Sequence, residues 1–221
     1  MKKPMLLALS GLFIATPATA EVKNQSDAGF VVGHVGEVLA KPDEVWKRLI
    51  VPKDWWNPDH SWFGKAEGLY IDAQAGGCFC ETAQDKDAKG QAKVRGSVEH
   101  MRVIFADPGK VLRMQGALGP LQSEAVMGTL TVAMEPLKDG AGTKLSFNYT
   151  VGGYTRFPMA KMAAAVDQVI GEQFASLIKP LGKVAAGDGK AGEKETEEWS
   201  LDPSKLDDEK PEEKVETPAA K

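Results

Sequence analysis

Residues 143–151, TKLSFNYTV, alternate without a break: Leu145, Phe147, Tyr149 and Val151 share one parity, and Lys144, Ser146, Asn148 and Thr150 share the other. An extended strand sends successive side chains to opposite faces, so this one has a dry face and a wet face. That is the pattern of an antiparallel sheet covered on one side. The cover follows directly in the chain. Over 157–181, Met162, Val166, Val169, Ile170, Phe174, Leu177, Ile178 and Leu181 fall on one broad face of a helix, with Lys161, Gln168, Glu172 and Lys179 opposite. Pro180 thins or ends the last turn. Burying each large apolar side chain is worth roughly 1.5–3 kcal/mol, so this helix is expected to lie across the dry face.

The rest of the chain supplies the sheet. A valine-rich alternation over 29–40 predicts a first strand. KPDEVWKRLI then predicts a helix, with Pro42 near its start and Asp43 and Glu44 in its first turn. PKDWW restarts a second short helix at Pro52, which NPDH ends. Further strands are expected at 66–72, 77–84, 93–105, 111–116, 123–135 and 143–151, joined by AQAGG, DKDAKGQ, ADPGK, LGPLQ and PLKDGAG. Short polar, Gly-rich joints make hairpins and hence a meander. The fold class is α+β, with a curved antiparallel sheet of about seven strands.

Both ends read as separate from this core. MKKPMLLALSGLFIATPATA has two lysines, an apolar run and small residues at Ala18 and Ala20, the form of a secretory signal peptide with a mature start at Glu21. The run is shorter than the roughly 20 residues of a membrane span, so the product is expected in the bacterial periplasm, without a transmembrane span. Residues 21–27 read as a short lead-in, 28–182 as the domain and 183–221 as a tail. From residue 187 on, that tail has 12 acidic and 6 basic side chains and little apolar area, so disorder is expected. The formal charge of −4 therefore comes from the ends, and 21–186 is neutral. Without a basic stripe, nucleic acid is not an expected partner.

The stretches KPDEVWKRLIVPKDWW, AGGCFCE, VEHMRVIFADPGKVLRMQGALGPLQ, GTKLSFNYTVGGY and AAAVDQVIGEQFASLIKPL together cover nearly all of the core. In element order this core resembles the START-like (SRPBCC) superfamily, near its polyketide-cyclase/dehydratase-like and heat-shock-chaperone ATPase activator-like branches. The resemblance implies a helix-grip fold, in which sheet and terminal helix enclose a cavity for a lipid, sterol, polyketide or other apolar molecule. Trp55, Trp56 and Trp62 would then plug the rim, or else form a core corner. The cavity candidates are Trp56, Trp62, Phe79, Glu81, His100, Arg102, Tyr149, Val166, Ile170 and Phe174.

Candidate chemistry is sparse. Cys78 and Cys80 point the same way on a strand, but no nearby His or Cys completes a zinc site, so neither metal nor cofactor is expected. A disulfide across one residue would be strained, and two small buried or half-buried thiols are the preferred reading. Glu81 shares the parity of Phe79; it is either a buried carboxylate able to hold a proton or, preferred here, exposed at a strand end. Glu99 and His100, as neighbours, cannot pair. His100, Arg102, Val98 and Ile104 share one parity, so either a bulge switches faces or polar groups intrude on the apolar side.

Three functions stay open. The leading one is an exported domain binding a small apolar molecule or lipid, with no assembled catalytic set. A cyclase- or dehydratase-type enzyme would instead use Glu81, His100 or Arg102, provided two of them meet in one pocket. An interaction module would dock its acidic tail through Trp199.

Overall fold

The computed structural model describes residues 21–182 and 184, apart from 88. The expected signal peptide and the acidic run from residue 187, Trp199 included, lie outside the described residues. Eight strands form one antiparallel sheet: β1 (Glu21–Ser26), β2 (Gly29–Val38), β3 (Leu69–Ile71), β4 (Cys78–Lys86), β5 (Ala92–Asp107), β6 (Val111–Gly116), β7 (Ala125–Pro136) and β8 (Thr143–Tyr154). Their spatial order is β1-β2-β8-β7-β6-β5-β4-β3. The β3-to-β8 run is the expected meander, each strand beside the next. β8 then returns to pair with β2 along its whole length, from Gly29 opposite Gly152 to Val38 opposite Thr143.

The expected parity of β8 holds. Leu145, Phe147, Tyr149 and Val151 are all buried. Their ladder partners on β7, Leu130 opposite Tyr149 and Val132 opposite Phe147, extend the same dry face. Helix α2 (Met159–Ile178) lies on it, burying Ile170, Phe174 and Leu177. A single tighter turn, Lys179–Leu181, ends it at Pro180, which lacks the N–H an α-helix would need there. The helix approaches β2 where side chains are missing. A Cβ on Gly36 would sit 3.2 Å from the Phe174 ring, and one on Gly171 would sit 2.9 Å from His34.

Helix α1 (Pro42–Leu49) has its acidic residues in the first turn, and Glu44 Oε2 accepts from the Lys41 N–H at 3.0 Å. At its other end Arg48 reaches the terminus of α2, donating from Nε to the Leu177 carbonyl at 2.9 Å and from Nη2 to that of Ser176 at 3.3 Å. A cation placed on free helix carbonyls satisfies them and complements the helix dipole. The two helices are thereby fixed to one another.

Three expectations change, and one open choice is settled. Residues 21–27 are not a lead-in: 21–26 form β1, an edge strand whose hairpin with β2 turns at Asp27–Ala28, so the sheet has eight strands rather than about seven. The alternation there is polar on both parities (Lys23, Asn24, Gln25), which hides a strand that is held by its partner's backbone. The second short helix is one 3₁₀ turn, Pro52–Asp54. The stretch expected as a strand at 66–72 begins with a further such turn, Ala66–Gly68. Finally, the mixed parity of β5 is a bulge: Phe79 pairs with Met101 but Cys80 pairs with Glu99, so His100 has no partner in the ladder. His100 and Met101 both turn inward, whereas Arg102 and Ile104 are exposed.

The dry face tolerates little added volume. A Cβ on Gly128 would fall 2.3 Å from the ring of Tyr149, which is fixed by a hydrogen bond from its hydroxyl to the Gly116 carbonyl at 3.1 Å. Gly128→Ala is therefore expected to lower unfolding free energy by about 1–3 kcal/mol, the usual cost of overpacking. Urea denaturation followed by circular dichroism measures this, and a wild-type midpoint would contradict it.

Candidate functional site

The aromatic stretch 52–62 has little secondary structure of its own, so its shape comes from side chains elsewhere. Trp55 donates from Nε1 to the Leu49 carbonyl at 3.2 Å and packs edge-on to Phe147. Trp56 donates to the His60 carbonyl at 3.1 Å and packs edge-on to Phe79. Gln173, fully buried on α2, accepts from the Asn57 N–H at 2.8 Å. His60 and Glu172 meet at 3.0 Å, again from loop to helix. Beyond them Glu81 accepts from the N–H groups of Trp62 at 3.0 Å and Phe63 at 2.8 Å.

These ties hold the loop away from α2 far enough to leave a pocket of about 380 Å³. Its walls are Trp56 and Trp62 from the loop, Leu118 and Leu121 from the β6–β7 connection, and Met162, Ala165, Val166, Val169 and Ile170 from α2. Asp59, His60 and Ser61 also contribute to the lining and are its polar side chains. Trp55 and Trp56 are buried, and Trp62 is 50% exposed. The three tryptophans thus divide: two belong to the core corner and one stands at the rim.

Of the expected cavity residues, Trp56, Trp62, Val166 and Ile170 line this pocket. Phe79, Tyr149 and Phe174 are core residues outside its lining. Phe174 fills the space between His34 and Phe147, and the Tyr149 hydroxyl bonds to the Gly116 and Leu118 backbone. The expected cavity between sheet and helix is therefore displaced: large aromatics fill the middle, and the space opens at the end where loops replace the sheet. Met162 and Val169, expected on the apolar face of the helix, were not among the cavity candidates. Leu118 and Leu121 were missed because they sit in an irregular connection whose facing no periodicity reveals.

Glu81 is not exposed at a strand end. Its side chain is 0% exposed and that of His100 is 3%, with His100 Nε2 at 3.1 Å from Glu81 Oε2. The pair forms because the bulge turns His100 inward. Three N–H groups thus surround one carboxylate, which offsets the cost of burying it. Neither residue lines the apolar pocket, so their chemistry is to hold 62–63 in place. Arg102 does not join them: it is on the outer face, donating to the Glu99 carboxylate and the Gly76 carbonyl. Cys78 and Cys80 are not thiols but a disulfide: their side chains share the outer face of β4, with Cα atoms 5.5 Å apart. Among the described residues, no group of three or more His, Cys, Asp and Glu could hold a metal ion. No helix among them is long and apolar enough to cross a membrane.

Burial depresses both inward-facing histidines. His100 is held below the usual 6.5 by desolvation, which outweighs the pull of Glu81. His34 is lowered by the same cause against the pull of Asp167, with Lys23 adding to it. A histidine with a depressed folded pKa takes up its proton in the unfolded chain first, so stability falls as pH drops below about 6.5. The urea midpoint should be lower at pH 5.5 than at pH 7.5, and the difference should shrink in a His34→Gln/His100→Gln variant. A midpoint that rises on acidification would reverse the assignment.

No family model matches the chain, and no curated protein matches it either. Solved structures do. The protein Ms6760 from Mycobacterium smegmatis is 16% identical, covering 76% of this chain and 99% of its own, with a TM-score of 0.46. The Aha1 dimer from Colwellia psychrerythraea is 16% identical over 71% of this chain and 98% of its own, at a TM-score of 0.41. CalU16 from Micromonospora echinospora is 13% identical over 72% and 78%, at 0.40. No residue role is carried over from likenesses this distant.

Proposed function

We propose that this chain is an exported START-like domain that binds a small apolar molecule, or the acyl part of a lipid, at the end of its helix grip. The observation that carries the reading is the pocket of about 380 Å³, walled by Trp56, Leu118, Leu121, Met162, Val166 and Ile170. Its size falls in the ~300–1,000 Å³ range of small-molecule sites, and its lining is of the same mostly apolar kind with a few polar groups. A ligand would place its apolar body against α2 and its polar end beside Asp59, His60 and Ser61, three neighbours in the loop. Export rests on the leader at 1–20, with its apolar run and small residues before Glu21. Binding without catalysis is supported by where the expected catalytic candidates fall: Glu81 and His100 meet but are sealed away from the pocket, and Arg102 faces outward, so that His60, paired with Glu172, is the one imidazole in the lining.

Protein recovered from the periplasm should carry an apolar ligand in native mass spectrometry, or bind an apolar fluorescent dye. Val166→Trp fills the pocket from the helix side and should weaken dye binding at least about tenfold, a loss of about 1.4 kcal/mol. A protein that neither co-purifies with nor takes up an apolar molecule would sink the reading, as would a Val166→Trp variant of unchanged affinity.

A further inference from the structure

The disulfide lies on the face of the sheet opposite the pocket. Cys78 and Cys80 alternate with inward-facing Phe79 and Glu81, so both sulfurs belong to the outer side of β4. Little stabilisation follows from joining them. A cross-link stabilises mainly by restricting the unfolded chain, and the gain grows with the loop it closes. Here the loop has one intervening residue, Phe79, in a strand already paired on both sides by β3 and β5.

What surrounds the sulfurs is asymmetric. Arg102 is the ladder partner of Cys78, and Glu99 is the ladder partner of Cys80. Directly opposed residues of an antiparallel pair share a face with close Cβ atoms, so Arg102 and Glu99 flank the two sulfurs on the outer face, their charges joined to one another in an ion pair. Tyr70 of β3 completes the surroundings, with its hydroxyl 3.9 Å from Cys78 Sγ. Cys78 is half-buried and Cys80 is 7% exposed. A neighbouring cation lowers a thiol pKa, while burial and a neighbouring anion raise it. In the reduced pair, Cys78 is thus the sulfur that can be reached, with Arg102 opposite it in the ladder.

We propose that Cys78 and Cys80 form a thiol–disulfide exchange site acting on small thiols and disulfides of the glutathione class. The Cys78 thiolate attacks one sulfur of a substrate disulfide, forming a mixed disulfide and releasing one thiolate. Cys80, giving up its proton to solvent, then attacks the Cys78 sulfur, closing the Cys78–Cys80 bond and expelling the second thiolate. One substrate disulfide is reduced to two thiols as the pair loses two electrons, and two molecules of a small thiol return the pair to the dithiol by the reverse steps. Arg102 is a positioning residue, acting through the charge on Cys78. The site is independent of the pocket.

The test uses the exported chain, reduced with dithiothreitol, freed of reductant and checked for fold by circular dichroism. Oxidised glutathione should convert the wild-type dithiol to the closed pair, while Cys80→Ser traps a glutathione adduct on Cys78, read by mass spectrometry. Cys78→Ser should form its adduct several-fold more slowly. In the Cys80→Ser background, Arg102→Gln should slow alkylation of Cys78 by iodoacetamide near neutral pH, with rates converging at high pH where both thiols are ionised. Dye binding in the pocket should be unaffected throughout. Equal adduct rates at the two cysteines, a pH profile of Cys78 indifferent to Arg102, or a disulfide that dithiothreitol opens only in unfolded protein would overturn the proposal.

Discussion

The closeness of α2 to β2 governs the arrangement of everything else. Gly36 on the strand and Gly171 on the helix leave room for Phe174 and His34 to fill the interval from opposite sides. A Cβ at either position would meet a side chain, Phe174 and Ile178 at Gly36 or His34 at Gly171, that would have to shift. The same helix carries Met162, Val166 and Ile170 into the pocket wall. Tight contact at one end of the grip and open space at the other are thus two consequences of one packing choice. Phe174, Phe147 and Trp55 close the middle, and the residues nearer the N-terminus of α2 face loops instead of strands.

Buried polar groups fix the loop side of the same space. Gln173 and Glu81 are both fully buried, and each accepts from backbone N–H groups of the 55–63 stretch. An irregular segment next to a core must find partners for its N–H groups, and here a helix and a strand provide them. Such bonds are directional, so they define where the loop sits more sharply than apolar contact could. The Gln173 side-chain nitrogen has no partner among the described residues, although it is enclosed at the same place. The site therefore combines apolar walls with a loop held in place by polar anchors.

Much of the fold was legible because it rests on periodicity. The alternation in β8 and the apolar stripe of α2 each specify a face, and the two faces must meet. The candidate site was legible only in part. Trp56, Val166 and Ile170 could be placed because they lie on or beside periodic elements, but Leu118 and Leu121 sit in a connection without a period. β1 escaped because its polar residues carry no burial pattern, and its place depends on β2. Glu81 was misjudged because a charged residue in a strand reads as solvent-facing until its partner is known. That partner, His100, is turned inward by one extra residue in β5 opposite β4, a shift that a single strand's sequence cannot reveal.

Sequence alone determined the class of elements, the meander, the wet and dry sides of β8 and the helix that covers the dry one. These follow from local spacing and from the cost of leaving apolar area in water. Tertiary structure decided where the empty space lies, that Glu81 and His100 meet, that Arg102 faces outward, and that Cys78 and Cys80 are joined. Each of these depends on registers and approaches between residues far apart in the chain, which are set by how whole surfaces pack and not by any one segment's pattern.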